Sequence, residues 1–359
     1  MEEIVYKERR GTDCVKWDGL AESFGEKDLT ALWVADMDFQ APACVRQALR
    51  EYVEMGAYGY YRRPDSHYEP FMRWEKQYHG YEVKKEWLRF APGVVPAIYW
   101  LVQMLTEPGD CVGVMTPVYY PFMNAVKDNG RIVTDCPLIN RGGAYTMDLE
   151  RLERLASEGA MKLFILCSPH NPVGRVWTRE ELKAFLAVCG RYRIPVIADE
   201  IHQDIVFEER GQTALGSLGE YKPGLVTLTA PSKTFNLASM QNSVVVLPDE
   251  ELRGRWDEFT RRLSMNNGNA MGYIAAASAY EGGRPWLEGV LKIIRGNYEY
   301  LRQALSGKLP QAQISPLEGT YLSWVNLEAY VQPGRPAAEW MKETVQEKAR
   351  LAVDFGDWF

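Results

Sequence analysis

Apolar residues recur along this chain with two periods, and the switches between them mark its elements. Val45, Ala48, Leu49, Tyr52 and Val53 fall at helical spacing, which predicts an amphipathic helix over 43–55 that stops at Gly56. A second helix is predicted from about Glu69 to His79. The run LRFAPGVVPAIYWLVQMLTEPGD predicts a short strand ending at Ala91, a turn at Gly93, and a helix to Thr106 with Pro96 in its first turn. Strands then alternate with helices: strands at 111–115, 131–134, 162–167 and 194–198, helices near 120–127, 148–156 and 179–189. A further strand around Val226 and Leu228 is bounded by Pro223, Gly224 and Pro231. Runs that are apolar throughout belong to strands covered on both faces. The alternation therefore predicts a doubly wound α/β domain with a mostly parallel sheet. Helical patterns near 269–280 and 285–305 and a strand at 321–325 follow.

The strand ends carry the chemistry. KLFILC runs into SPHNPVG and delivers Asn171; IPVIA runs into DEIHQD and delivers Asp199; TLTAPSK delivers Lys233. Loops leaving the carboxyl ends of parallel strands are where α/β proteins hold ligands, so an amide, a carboxylate and an amine are offered to one crevice. A lysine partly desolvated there loses part of its preference for the charged form, and a neutral amine can attack a carbonyl. The trio matches the needs of a pyridine ring bearing an aldehyde and a phosphate: a carboxylate for the ring nitrogen, an amine for the aldehyde, an amide for the phenolic oxygen. Tyr119 and Tyr120 in TPVYYPF can cover such a ring. The Gly93 turn aims free backbone N–H groups at an anion. Other readings stand beside these: Lys233 as a surface lysine in a turn, and Asp199 paired with a structural lysine or binding a metal with His170 and His202; Asp36 and Asp38, which flank Met37, suggest a metal or acid–base site but read as capping or solvated acids before Pro42.

Composition narrows the field. The chain has 359 residues, 46% hydrophobic and 25% charged, with a net charge of -7, which suits a two-domain globular protein. Scattered basic residues on an acidic chain argue against nucleic acid. The stretch AYGYYRRPDSHYEPF has no apolar period and reads as an exposed loop that reaches a neighbouring subunit. The six cysteines lack CxxC spacing and read as reduced core thiols of a cytoplasmic protein. The charged start MEEIVYKERR and the short apolar runs predict neither signal peptide nor membrane span.

These residues together carry a resemblance. KWD at 16–18, LWVADMDF at 32–39, YGYY at 58–61, APGVVPA at 91–97, PVYYPF at 117–122, SPHNPVGRVW at 168–177, DEIHQD at 199–204, APSKTFNLAS at 230–239 and EGTYLSWV at 318–325 stand in family order. The chain resembles pyridoxal-phosphate enzymes of aminotransferase fold type I, in the cystathionine β-lyase group that includes the maltose-regulon modulator. The resemblance implies pyridoxal 5'-phosphate as cofactor and Lys233 as the Schiff-base residue. Asp199 would pair with the pyridinium nitrogen, Asn171 and His202 would lie beside the phenolic oxygen, and Tyr119 would stack on the ring. The phosphate would sit on the N–H groups of Val94 and Val95, on Ser232, and on Tyr60 from the other subunit of a homodimer with shared active sites. No metal is implied.

A large cofactor domain over 46–280 and a smaller α+β domain from 1–45 and 281–359 are also implied. Two departures stand out. Gln241 occupies the place, eight residues after Lys233, where many such enzymes have a basic phosphate ligand. Relatives continue past VDFGDWF into an element whose arginine grips the substrate α-carboxylate, and this sequence offers no counterpart. The implied activity on an amino-acid substrate is β-elimination from cystathionine or another cysteine S-conjugate. Amino-group transfer is the alternative within the family, and regulation through a protein partner is the alternative outside catalysis.

Overall fold

A computed structural model of the chain describes residues 2–208, 211–219, 221 and 224–359. Pro223, one bound of the strand expected around Val226, lies outside the described residues. The predicted alternation is present, with strand β1 at Leu88–Ala91, β2 at Cys111–Val114, β3 at Ile132–Asp135, β4 at Leu163–Cys167, β5 at Val196–Asp199, β6 at Leu225–Thr229 and β7 at Ser243–Val246. They form one seven-stranded sheet in the order β1-β7-β6-β5-β4-β2-β3. β7 runs antiparallel to β1 and β6, and the remaining pairs are parallel. The sheet is mixed and mostly parallel, as the continuous apolar runs predicted.

The helices that flank the sheet follow the sequence pattern closely. They are α1 at Ala43–Glu54, α2 at Glu69–His79, α3 at Val94–Leu105, α4 at Pro121–Asp128, α5 at Leu149–Ser157 and α6 at Arg179–Arg191. Local chemistry sets several ends. Asp148 caps α5 by accepting from the Arg151 N–H, and Thr178 with Glu181 closes a reciprocal capping box on α6. Gly80 ends α2 in the left-handed conformation, where a Cβ would be strained. Helix α7, at Pro231–Thr234, is a single turn following β6, and it is followed by α8 at Glu250–Arg262, α9 at Ala270–Gly282 and α10 at Arg284–Lys308.

The core lies on both sheet faces. Leu101, Phe122, Ile165 and Val226 belong to one cluster, and Phe164, Trp177, Phe185 and Val196 to another. Alternate residues of β4 thus feed opposite layers, as the pleat requires. A third cluster joins Met37 and Val45 near the amino end to Trp74, Phe235, Tyr280 and Trp286. It ties α1, α2 and the Lys233 turn together.

One expected element is largely absent. The strand predicted at 321–325 is reduced to Val325–Asn326, paired with Gln313–Ile314. Thr320 has φ +66° and breaks the extension, while its N–H donates to the Ile205 carbonyl at 2.8 Å. The freed segment turns Tyr321 toward the carboxyl ends of the sheet strands. Among the described residues no helix is long and apolar enough to cross a membrane.

Candidate active site

Strands β4, β5 and β6 are neighbours in the sheet, so the loops that leave them open onto one place. A cavity of about 1210 Å³ lies there, and Asn171, Asp199, His202, Ser232 and Lys233 all line it. Val94 and Val95 at the start of α3 and Tyr119 before α4 complete the wall. Eight of the nine residues singled out from the sequence are therefore brought together. The ninth, Tyr60, is fully exposed in an irregular segment and does not line the cavity of its own chain.

Lys233 sits on the one-turn helix α7, and its Nζ donates to the Ala35 carbonyl at 2.6 Å. Enclosure of the amine pushes its pKa down, and the negative charges of Asp36 and Asp199 recover part of the shift. Asp199 is buried at the end of β5. Burial pushes its carboxyl up to about 7, against the pull of the Ile201 N–H, which donates to Oδ1 at 3.0 Å, and of Lys233. A buried carboxyl in that state is short of a cationic donor, and a protonated ring nitrogen is one that fits the cavity.

Other polar groups are also short of partners. Asn171 Oδ1 and His202 Nδ1 are buried without a hydrogen bond. Burial pushes His202 down to about 3, with Lys233 adding to the effect, so its imidazole is neutral near pH 7. Helix α3 begins at Gly93 with no side-chain cap, leaving the N–H groups of Val94 and Val95 unpaired within the helix. With the Ser232 hydroxyl they make a set of donors suited to an anion. Tyr119 donates its backbone N–H to the Asn171 carbonyl at 3.1 Å, which joins the covering ring to the amide loop. The residues present fit a phosphorylated pyridine aldehyde, and no cation but Lys233 stands among the described residues lining the cavity.

Three plainer readings are corrected. Asp36 and Asp38 are neither solvated nor capping: Arg9 donates to both, through Nη2 to Asp36 at 2.7 Å and through Nε to Asp38 at 2.8 Å, and Lys16 donates to Asp38 at 2.7 Å. His170 does not line the cavity with Asp199 and pairs through Nε2 with the Pro117 carbonyl at 2.9 Å. Among the described residues no group of three or more His, Cys, Asp or Glu is placed to hold a metal ion. Lys233 faces the cavity and not the surface.

Site residues outside the sequence reading are Ala35, Tyr321 and Asn236. The Tyr321 hydroxyl donates to the same Ala35 carbonyl at 2.6 Å and its ring stands edge-on to His202 at 5.7 Å. Asn236 accepts from the Met37 N–H at 3.1 Å and donates to the Met37 and Phe39 carbonyls at 2.7 and 2.9 Å. Those bonds lay the segment 35–39 along the Lys233 turn. EGTYLSWV marked Tyr321 as part of a shared pattern. Nothing in sequence marks a backbone carbonyl.

Known proteins resemble the chain over nearly its whole length. The sequence profile described as aminotransferase class I and II matches residues 27–355. Cystathionine beta-lyase PatB of Bacillus subtilis is 39% identical over 98% of this chain and 90% of its own length. A pyridoxal-phosphate-bound putative aminotransferase from Clostridium difficile superposes with a TM-score of 0.94 at 36% identity, covering 99% of this chain and 90% of that one. Cystalysin from Treponema denticola, whose crystal structure contains a pyridoxal 5'-phosphate cofactor, superposes at 0.92 with 31% identity over 98% and 89% of the two chains. With the profile spanning the sheet, the Lys233 turn and both walls of the cavity, the chain belongs to the aminotransferase class I and II family, with the α/β architecture of fold type I.

Proposed function

We propose that the protein is a pyridoxal-phosphate-dependent carbon–sulfur β-lyase, converting L-cystathionine or a related cysteine S-conjugate and water into a thiol, pyruvate and ammonia. The observation that carries this reading is the convergence of Lys233, Asp199 and Asn171 from three neighbouring strand ends on one cavity. The likeness to a cystathionine β-lyase over nearly the whole chain supports elimination over transfer. When bound, the cofactor supplies an aldehyde that exchanges amines and a protonated ring that takes up the electron pair left at the substrate α-carbon.

The chain's own residues do the rest. Asp199 would accept the ring N–H, and that cation would draw its carboxyl back toward the ionised form. Asn171 and neutral His202 would hold the phenolic oxygen, while Tyr119 would cover the ring and exclude water from it. Val94 and Val95 at the amino end of α3, with the Ser232 hydroxyl, would hold the phosphate, and the helix dipole would answer part of the charge that Gln241 cannot. Tyr60 is assigned to the phosphate of a second copy of the chain in a homodimer. Lys233 would hold the cofactor's aldehyde and, as a free amine, would accept the substrate α-proton, for which its depressed pKa suits it, and pass a proton to the departing sulfur.

The test is pyruvate and thiol release from L-cystathionine by the cofactor-loaded protein, with no keto acid added. Equal amounts of both over many turnovers are expected, and Lys233→Ala should abolish them. If the loaded protein shows the bound-cofactor absorbance and releases no pyruvate, the lyase reading on this substrate fails, and transfer of the amino group to a keto acid becomes the activity to assay.

A further inference from the structure

Behind the cavity lies a second polar cluster that takes no part in the steps above. Asp204 ends the same loop that begins with Asp199, and its side chain is only 2% exposed. It accepts three hydrogen bonds: from Trp74 Nε1 at 2.7 Å, from His79 Nε2 at 2.8 Å and from the Thr234 hydroxyl at 2.7 Å. Trp74 and His79 come from α2, and Thr234 is the residue after Lys233. Glu75 stands beside His79 and accepts from Gln203 at 2.6 Å; Glu200 accepts from the Leu215 N–H at 2.8 Å. Tyr280 of α9 closes the far side, its hydroxyl unpaired.

The Lys233 turn has little structure of its own. Within it the Phe235 N–H donates to the Pro231 carbonyl at 2.9 Å and the Leu237 N–H to the Ser232 carbonyl at 3.0 Å. Asn236 fastens it to segment 35–39, on the amino-terminal wall. The Thr234–Asp204 bond fastens it instead to the loop of Asp199. Asp199 and Lys233 are the two ionisable groups that must face the reacting atoms from adjacent strand ends, and this bond is the side-chain link between the loops that carry them.

We propose that Asp204, anchored on α2 by His79 and Trp74, is a positioning residue that fixes the spacing of Lys233 from Asp199 through Thr234. The burial of every partner gives the link its stiffness. Burial alone would push Asp204 up, but the donors, His79 foremost, hold it below the usual carboxylate range, and His79 is held charged in return. An ionised acceptor makes the bond from Thr234 a charge-assisted one, shorter and stronger than a bond between neutral groups. Misplacement of a reacting group by about 1 Å costs roughly a hundredfold in rate, so a link of this kind has leverage on catalysis without touching substrate.

The inference rests on the pyridoxal-phosphate reading of the site, and the test separates the two. Thr234→Val removes the hydroxyl and keeps the shape; Thr234→Ser keeps the hydroxyl. The cofactor-loaded proteins are mixed with L-alanine, which has no leaving group on its β-carbon, so the absorbance change reads amine exchange and α-proton removal without elimination. For Thr234→Val the limiting rate should fall roughly tenfold to a hundredfold while the half-saturating concentration moves less than about twofold. Thr234→Ser should return to within about threefold of the unsubstituted protein. If Thr234→Val melts below the assay temperature, His79→Gln, which keeps an amide donor for Asp204 without the charge, carries the test through the same rate. A loaded Thr234→Val or His79→Gln with the unsubstituted limiting rate overturns the inference, as does an equal loss in Thr234→Ser and Thr234→Val. Absence of bound-cofactor absorbance in the unsubstituted protein overturns the site reading and this inference with it.

Discussion

Asp38 and Asp204 each accept three donors, one of them an indole N–H, yet they sit in different media. Asp38 takes Arg9 Nε at 2.8 Å, Lys16 Nζ at 2.7 Å and Trp17 Nε1 at 3.0 Å, in a cluster whose charged side chains keep 10 to 25% of their surface. The His79 and Asp204 side chains keep 4% and 2%. Both clusters grip the Lys233 turn, one through segment 35–39 and the other through Thr234. Similar geometry carries different weight. Water can replace a lost partner at the amino-terminal cluster, whereas behind the cavity a lost partner leaves a charge with nothing to solvate it.

The contrast can be broken most directly at Asp204. Asp204→Ala strands His79 and Thr234 in a dry space and should destabilise the fold by about 3–5 kcal/mol. Urea unfolding measures it, and a loss below about 1 kcal/mol would put the two clusters in one class.

The next largest effect is in pH. Burial would lower His79, but Asp204 and Glu75 outweigh it and hold the imidazolium to about 9, above its ordinary value. Its contribution is therefore complete below about 6.5 and is lost as pH rises through about 9. Burial lifts Glu75 to about 7 and Glu200 to about 8, and these favour the folded state while protonated, so they act in the same direction. Asp38 and Asp204 are held low and lose their contribution only as pH falls below the ordinary carboxylate range. The urea midpoint should fall from about pH 7 to about pH 9, and His79→Gln should flatten the upper part of that fall. A flat midpoint in the unsubstituted protein would contradict this assignment of the charges. The smallest effect belongs to the wetter cluster: Arg9→Met should cost about 1 kcal/mol or less, and less again in high salt. A salt-independent loss comparable to that of Asp204→Ala would erase the difference in medium.

Periodicity made most of the sheet and its helices legible, because a strand covered on both faces and an amphipathic helix leave opposite signatures in the order of residues. The meeting of Asn171, Asp199 and Lys233 at one cavity was legible as well, since each ends or closely follows an apolar strand. β7 and α8 went unread although SVVVL is a β-branched run and Asp249 accepts from the Leu252 N–H as a helix cap. The 321–325 strand was overread: the apolar residues are there, but the left-handed Thr320 is a backbone choice that composition does not announce. Asp36 and Asp38 were misread for a different reason. Their partners, Arg9 and Lys16, come from a segment whose own pattern says only that it is charged. The Ala35 carbonyl is beyond sequence reading altogether, as every residue has one.

The bonds from Asn236 to Met37 span 199 residues of chain. Loop-closure entropy over such a separation has to be offset before the contact rewards the fold, so it belongs among the later steps of folding. On the ribosome, segment 35–39 emerges early and waits until β6 and the Lys233 turn have followed it out. The wall of the cavity and the amine it holds are thus completed together, and a chain interrupted before β6 has the aromatic-rich segment Trp33–Phe39 without the turn that covers it.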